Sequence, residues 1–241
     1  GSYAFYNCRS LQKIEMNDGI TKIEDYTFAN YSQTSSLKEI VWSKNLKEIG
    51  TEAFSGYGSG INFILPEGLE KISNNNFYNC NVNIYVPASV KTIGRDGVRT
   101  RNNIFVAAEK KQSGWDNNWF GSDISDNLTI YWNVKEIKSD ENYNYLVIND
   151  GEVVVLECIN NRLTNAELSF AEGEVVEIAN RAFSGINLTQ LTLPESLKVI
   201  GKDAFGYCEN LKYVVIPAGV ELIGDYAFHN NTAIYSKANF A

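Results

Sequence analysis

Residue types that carry chemistry are scarce in this 241-residue chain. Its single histidine, His229, directly follows a phenylalanine and has no acidic or cysteine neighbour at ligand spacing. Ser/His/Asp, Cys/His and imidazole-zinc arrangements therefore lack their usual centre, and His229 reads as a solvated turn residue. No G-x-x-x-x-G-K-[ST] or G-x-G-x-x-G stretch is present to cradle a phosphate. Asp116, Asn118 and Gly121 have the spacing of positions 1, 3 and 6 of a calcium loop. Phe120 and Asn127 then stand at positions 5 and 12, where oxygen ligands are needed, so calcium is not expected. The 29 carboxylates must meet somewhere, but no spacing selects a pair for acid–base work. Catalytic residues, cofactor-binding residues and metal ligands are all expected to be absent.

Three of the four cysteines, Cys8, Cys80 and Cys208, each follow a phenylalanine by three places. If that spacing marks one recurring position, Cys8 and Cys80 lie three coils apart, about 15 Å at roughly 4.8 Å per coil. A disulfide cannot span that distance. Small apolar thiols packed in a turn are the expected reading, and they leave the redox compartment open.

The cysteines belong to a larger pattern. In the stretch 211–228, LKYVVIPAGVELIGDYAF, apolar residues precede Phe228 by 5, 8, 12, 14 and 17 places. The same ruler laid on Phe205 finds Ile200, Leu197, Leu193, Leu191 and Leu188, and on Phe54 it finds Ile49, Leu46, Trp42, Ile40 and Leu37. Phe28 repeats it, Phe77 repeats it except that Ile61 falls one place early, and Val98 stands in a phenylalanine's place. Successive rings from Phe5 to Phe77 and from Phe183 to Phe228 are 22–26 residues apart. A period of about 20–29 residues with L-x-x-L-x-L spacing is that of a leucine-rich repeat. One such coil cannot bury its own apolar face, so neighbours must stack. The expected fold is a right-handed leucine-rich-repeat solenoid of the α/β horseshoe class. It should consist mostly of short β-strands and turns, with short helical or 3₁₀ pieces on the outer arm. Phenylalanine rings should form a ladder along its axis.

The repeat also resembles a known family. IP or LP after the strand, then I-G-x-x-A-F, then a cysteine three residues on, is similar to the BspA-type leucine-rich repeat of bacterial surface proteins. It stands here as VIPAGVELIGDYAF, TLPESLKVIGKDAFGYC and YVPASVKTIG. The resemblance covers most of the chain. It implies an extracellular or cell-surface, non-enzymatic binding or adhesion module whose partners are host or matrix proteins or other cells.

Composition agrees with a soluble globular protein: 44% hydrophobic and 21% charged residues, with a net charge of −8. Excess acid argues against nucleic acid as a partner, and no apolar run is long enough to span a bilayer. The opening residues GSYAF align with GDYAF at 224–228, and Ala233 to Ser236 read as the start of another strand. The chain is therefore expected to be a segment of a longer protein, with signal and anchor outside it.

Two blocks are expected. Residues 1–134 form the first, ending in a polar, tryptophan-containing insert at 109–134 where the period breaks. Residues 135–241 form the second, beginning with a polar junction at 135–144. A hairpin over 145–156 follows, signalled by Asp150 and Gly151 between two β-branched runs.

The strand face is where binding is expected. Side chains alternate along a strand, so residues 13 and 15 places before each ring point outward. In the first block these rows are Val41, Ile64, Tyr85 and Phe105, beside Asn62, Asn83 and Asn103. An apolar stripe next to an asparagine row can mark a binding face. Equally, it can be cross-strand pairing that stabilises the sheet, or a surface covered by the tryptophan insert. The second block offers Thr192, Val215 and Tyr235, with Gln190 and Tyr213 beside them. Exposed aromatics such as Tyr85, Phe105 and Tyr213 make glycan stacking the alternative to a protein partner, and a structural spacer is the third reading.

Overall fold

The computed structural model describes residues 1–31, 36–57, 61–121, 128–149 and 151–237. The chain divides into two compact units, Gly1–Asn133 and Val134–Ala241, each with its own apolar core.

The first unit is a stack of parallel coils. Its front strands are Lys13–Glu15 and Glu39–Val41 in one ladder, then Phe63–Ile64, Ile84–Val86, Ile104–Val106 and Ile130–Tyr131 in another. The two ladders part where Ile61 breaks the spacing of the repeat. A second, continuous ladder runs behind them: Lys22–Ile23, Glu48–Ile49, Lys71–Ile72, Thr92–Ile93 and Gly114–Trp115. In it Ile23, Ile49, Ile72, Ile93 and Trp115 stand in register. Each is nearly or fully buried, because alternation at the two-residue strand turns one side chain inward and the other to water. Among the outward neighbours Lys22, Glu48 and Lys71 alternate in charge, with Lys71 3.0 Å from Glu48. Just before the next strands Lys91 stands 2.7 Å from Glu70.

The expected helical or 3₁₀ pieces do not occur among the described residues. The outer arm is instead this second ladder followed by tight turns. Two places before each ring the backbone is left-handed: Tyr3, Tyr26, Glu52, Asn75 and Asp96 all have φ between 53° and 61°. A residue in that region cannot continue a right-handed helix. The expected ring ladder is present. Phe5, Phe28, Phe54 and Phe77 stack in order, with centroids 5.2, 5.4 and 6.2 Å apart.

The period also does not break after Ala108. Trp115 occupies the inward back-ladder place that Ile93 holds one coil earlier, and its indole N–H donates to the Val90 carbonyl at 3.1 Å. Trp119 lies 4.9 Å from it and Trp132 closes the cluster at 5.9 Å from Trp119. The period therefore continues into a further coil, with Trp115 and Trp119 in the core positions that Ile93 and Val98 fill one coil earlier.

The second unit opens with an antiparallel meander, Val134–Ser139, Tyr143–Ile148 and Glu152–Cys158. Residues 135–144, expected as a junction, thus supply most of a strand. Half of that strand is charged, and its register shifts between Val134 and Glu136, where adjacent Lys135 and Glu136 are both exposed, which breaks its alternation. The hairpin turn has Asn149 and Gly151 at positive φ; Asp150 lies outside the described residues. Glu152–Cys158 then pairs in parallel with Glu174–Ile178, and the ladder continues through Val199–Ile200 and Leu222–Ile223. Front strands are Asn165–Glu167 with Gln190–Thr192, and Tyr213–Ile216 with Ala233–Ser236. Phe183, Phe205 and Phe228 stack at 5.0 and 5.2 Å. Arg181, Asp203 and Tyr226 repeat the left-handed turn.

Candidate binding face

The front ladder sets Ile64, Tyr85, Phe105 and Tyr131 side by side in one outward row. Glu15 and Val41 form the same row in the neighbouring ladder. Exposure falls steeply along it. Val41 is 39% and Ile64 54% exposed, and Tyr85 is half-buried. Phe105 is only 3% exposed and Tyr131 only 7%, their rings 5.7 Å apart. Phe105 is therefore not part of an open stripe: the next strand sets an aromatic of equal size against it. Of the insert expected over 109–134, Tyr131 is the residue set against Phe105, whereas Trp115 and Trp119 face the core of their own unit.

Tyr85 is held at its tip. Its hydroxyl donates to Glu67 Oε1 at 3.3 Å, and burial, aided by the Glu67 charge, pushes the phenol up to about 12. The asparagine row turns partly inward. Asn62 is exposed, but Asn83 and Asn103 are half-buried, and the Asn83 Oδ1 accepts the backbone N–H of Asn103 at 3.2 Å. Asn83 thus satisfies a neighbouring strand rather than standing free for a ligand. Lys13 sits between Glu15 and Glu39 at 3.1 and 3.2 Å, hydrogen bonds that raise its pKa.

In the second unit the corresponding face is more open. Tyr213 is 61%, Val215 41% and Tyr235 61% exposed, with Gln190 and Thr192 also exposed. The strand register brings Val215 opposite Tyr235. The sequence places these residues in the right rows; what it does not convey is that the aromatic row closes in one unit and opens in the other.

Cys80 and Cys208 lie where a packing role requires, whereas Cys8, expected to pack in the same way, is exposed because its coil has no neighbour before it among the described residues. The Cys80 thiol donates to the Phe54 carbonyl at 3.3 Å and the Cys208 thiol to the Phe183 carbonyl at 3.1 Å, each linking a turn to the preceding coil's ring. Burial pushes these thiols up to about 12 and about 11. Asp116 makes an Asx turn, its Oδ1 accepting the Asn118 N–H at 2.7 Å. Among the described residues no three His, Cys, Asp or Glu side chains gather as metal ligands, and no helix is long and apolar enough to cross a membrane.

A family model described as the BspA type leucine rich repeat region matches in six copies, over residues 1–104 and 157–240. No curated protein matches the sequence. Among solved structures, a leucine-rich repeat protein from Eubacterium ventriosum is 21% identical with a TM-score of 0.37, over 98% of this chain and 57% of that one. A leucine rich cell surface protein from Faecalibacterium prausnitzii is 20% identical with a TM-score of 0.37, over 92% of this chain and 71% of that one. The pneumococcal vaccine antigen PcpA is 18% identical with a TM-score of 0.38, over 93% of this chain and 62% of that one. The chain thus spans little more than half the length of the first of these.

Proposed function

Since the chain belongs to the BspA-type leucine-rich-repeat family, we propose that it is a non-catalytic interaction module displayed at a bacterial cell surface. It engages a protein of a host, a matrix or a neighbouring cell. The observation that carries this reading is the front face: exposed apolar side chains at Tyr213, Val215 and Tyr235 beside Gln190 and Thr192, with Val41 and Ile64 in the first unit. Aromatic and aliphatic side chains in a polar surround have the make-up of an interface core and rim. Their burial would contribute more than the strands need for their own pairing.

The test is adhesion of the labelled 241-residue chain to intact epithelial cells and to an immobilised matrix-protein extract. The variant Val215→Ser/Tyr235→Ser is expected to lose at least about tenfold in affinity, the scale of one or two interface anchors. Unchanged adhesion by a folded variant would sink the reading. A second reading, glycan binding on the same tyrosines, is favoured by the exposed rings of Tyr213 and Tyr235. Loss of adhesion after enzymatic deglycosylation of the cells selects it. Adhesion to neither target leaves the chain as a spacer.

A further inference from the structure

A second place in the second unit has the make-up of a ligand site, away from the strand face. On the turn side, between the coil ending at Phe205 and the coil ending at Phe228, a cleft of about 330 Å³ is lined by Asp203, Gly206, Tyr207, Tyr226, Phe228, His229 and Asn230. That volume is at the small end of the range for small-molecule sites. Its lining joins polar side chains to three aromatic rings, Tyr207, Tyr226 and the partly buried Phe228.

Tyr207 and Tyr226 are the most exposed large apolar side chains among the described residues, at 73% and 77%. Both occupy left-handed backbone, with φ 60° and 55°. Two places after the ring, where Tyr207 stands, other coils have Asn7, Gly56, Asn79 and Gly185, all at positive φ. Glycine and asparagine adopt that conformation readily; a bulky side chain crowds the following carbonyl. Tyr207 therefore gains nothing from its backbone and little from the core. Tyr226 makes the left-handed turn that recurs before each ring, but Tyr207 holds a conformation that other coils give to glycine or asparagine. The two exposed rings line one cleft, which makes sense if something covers them.

We propose that this cleft binds a neutral pyranose residue of a glycan. Tyrosine suits a sugar because it offers an apolar ring to the C–H face and a polar tip to water. The cleft supplies the polar partners. The Asn231 N–H donates to His229 Nδ1 at 3.4 Å, which leaves the proton on Nε2 for donation to a hydroxyl. Asn230 can donate and accept, and the Asp203 carboxylate accepts while its other contact, Arg181 Nε, stands 3.7 Å away. That carboxylate and the net charge of −8 disfavour acidic sugars. The inference goes beyond the front-face reading and does not depend on it, because none of these residues lies on a front strand.

Saturation-transfer NMR on the 241-residue chain tests it, with lactose, N,N′-diacetylchitobiose and mannobiose as neutral probes and 3′-sialyllactose as the acidic one. At least one neutral disaccharide should receive saturation, strongest on its ring C–H protons. The double variant Tyr207→Gly/Tyr226→Gly should bind it at least about tenfold more weakly. Tyr207→Phe should stay within about twofold of the parent, since the stacking ring is kept. Glycine is the informative replacement: it relieves the left-handed strain, so the variant should melt no lower than the parent. The front-face variant Val215→Ser/Tyr235→Ser should bind the sugar normally. The proposal is overturned if no neutral probe binds at about 10 mM, if sialyllactose binds as well as they do, or if the double glycine variant binds undiminished.

Discussion

The ring position concentrates the packing of each coil. Phe54 is fully buried, stacked between Phe28 and Phe77 and met edge-on by Phe63 and Trp42. Phe54→Ala should lower stability by about 3–5 kcal/mol, because the flanking coils are tied by backbone bonds and cannot collapse into the space. Phe5→Ala, at a ring 47% exposed with Phe28 stacked on one face, should cost well under half of that; urea titration of both checks the ratio. The thiols give a pH signature. Cys80 is raised from 9.0 to about 12 by burial, so the folded state holds its proton more tightly than the unfolded chain does. Stability from this group is present in full below pH 9 and is lost as pH rises towards 12. Unfolding free energy should therefore fall over that window, and the fall should be shallower in Cys80→Ala. Equal slopes would assign the alkaline loss to other groups, Tyr57 first, whose phenol burial also raises. At pH 8 Ellman's reagent should label exposed Cys8 well before the buried Cys80, Cys158 and Cys208.

Elements differ in how far the sequence reveals them. The three- and four-residue front strands and the phenylalanine stack are legible because each contributes large apolar residues at fixed offsets from a ring. The back ladder is not, because a strand of two residues has no period to detect: Lys22 and Ile23 look alike in a turn, a helix or a ladder. What commits them to a ladder is the stack itself, where the Gly50 N–H donates to the Ile23 carbonyl at 2.8 Å and Gly94 repeats this on Ile72 at 2.9 Å. The candidate face is half legible for a similar reason. Alternation places Ile64 and Phe105 in one row, but the exposure of each depends on its neighbour, and Tyr131 sits beyond a stretch that obscures the repeat. The turn tyrosines are invisible to any strand-based reading, since their distinguishing feature is a backbone angle. One element contact lends itself to a direct test. A Cβ on Gly173 would lie 1.7 Å from the Gly151 carbonyl oxygen, where the meander joins the parallel coils through the hydrogen bond from Glu174 N–H to that same carbonyl. Gly173→Ala must push the two apart, so it should destabilise the second unit by about 1–3 kcal/mol; a melting temperature equal to the parent's would show that the hairpin turn yields without loss.

At the scale of the whole molecule, the organising fact is that two cores are built by one rule. The first contains Phe28, Phe54 and Phe77, with Trp115 and Trp119 at its last coil; the second contains Phe183 and Phe205. Within each unit a coil meets its immediate neighbours through the back ladder, and most coils also through front-strand pairing or the ring stack. In such a one-dimensional assembly stability is close to a sum of coil terms and nearest-neighbour terms. A lesion should accordingly weaken its own coil most and fade along the stack rather than spread evenly. Phe54→Ala is the case to follow by native-state hydrogen exchange. The amides of Glu48–Ile49 and Lys71–Ile72, in the damaged coil and the next, should exchange fastest relative to the parent. Those of Gly114–Trp115, three strands further along the back ladder than Glu48–Ile49, should change less. The ladder through Val199–Ile200 and Leu222–Ile223 belongs to the other core and should keep its protection. If instead all these amides accelerated together, the chain would unfold as a single cooperative body, and separate cores would not amount to separate stabilities. The same experiment bears on binding, because a front face distributed over coils that open independently can lose one coil and retain the contacts of the rest.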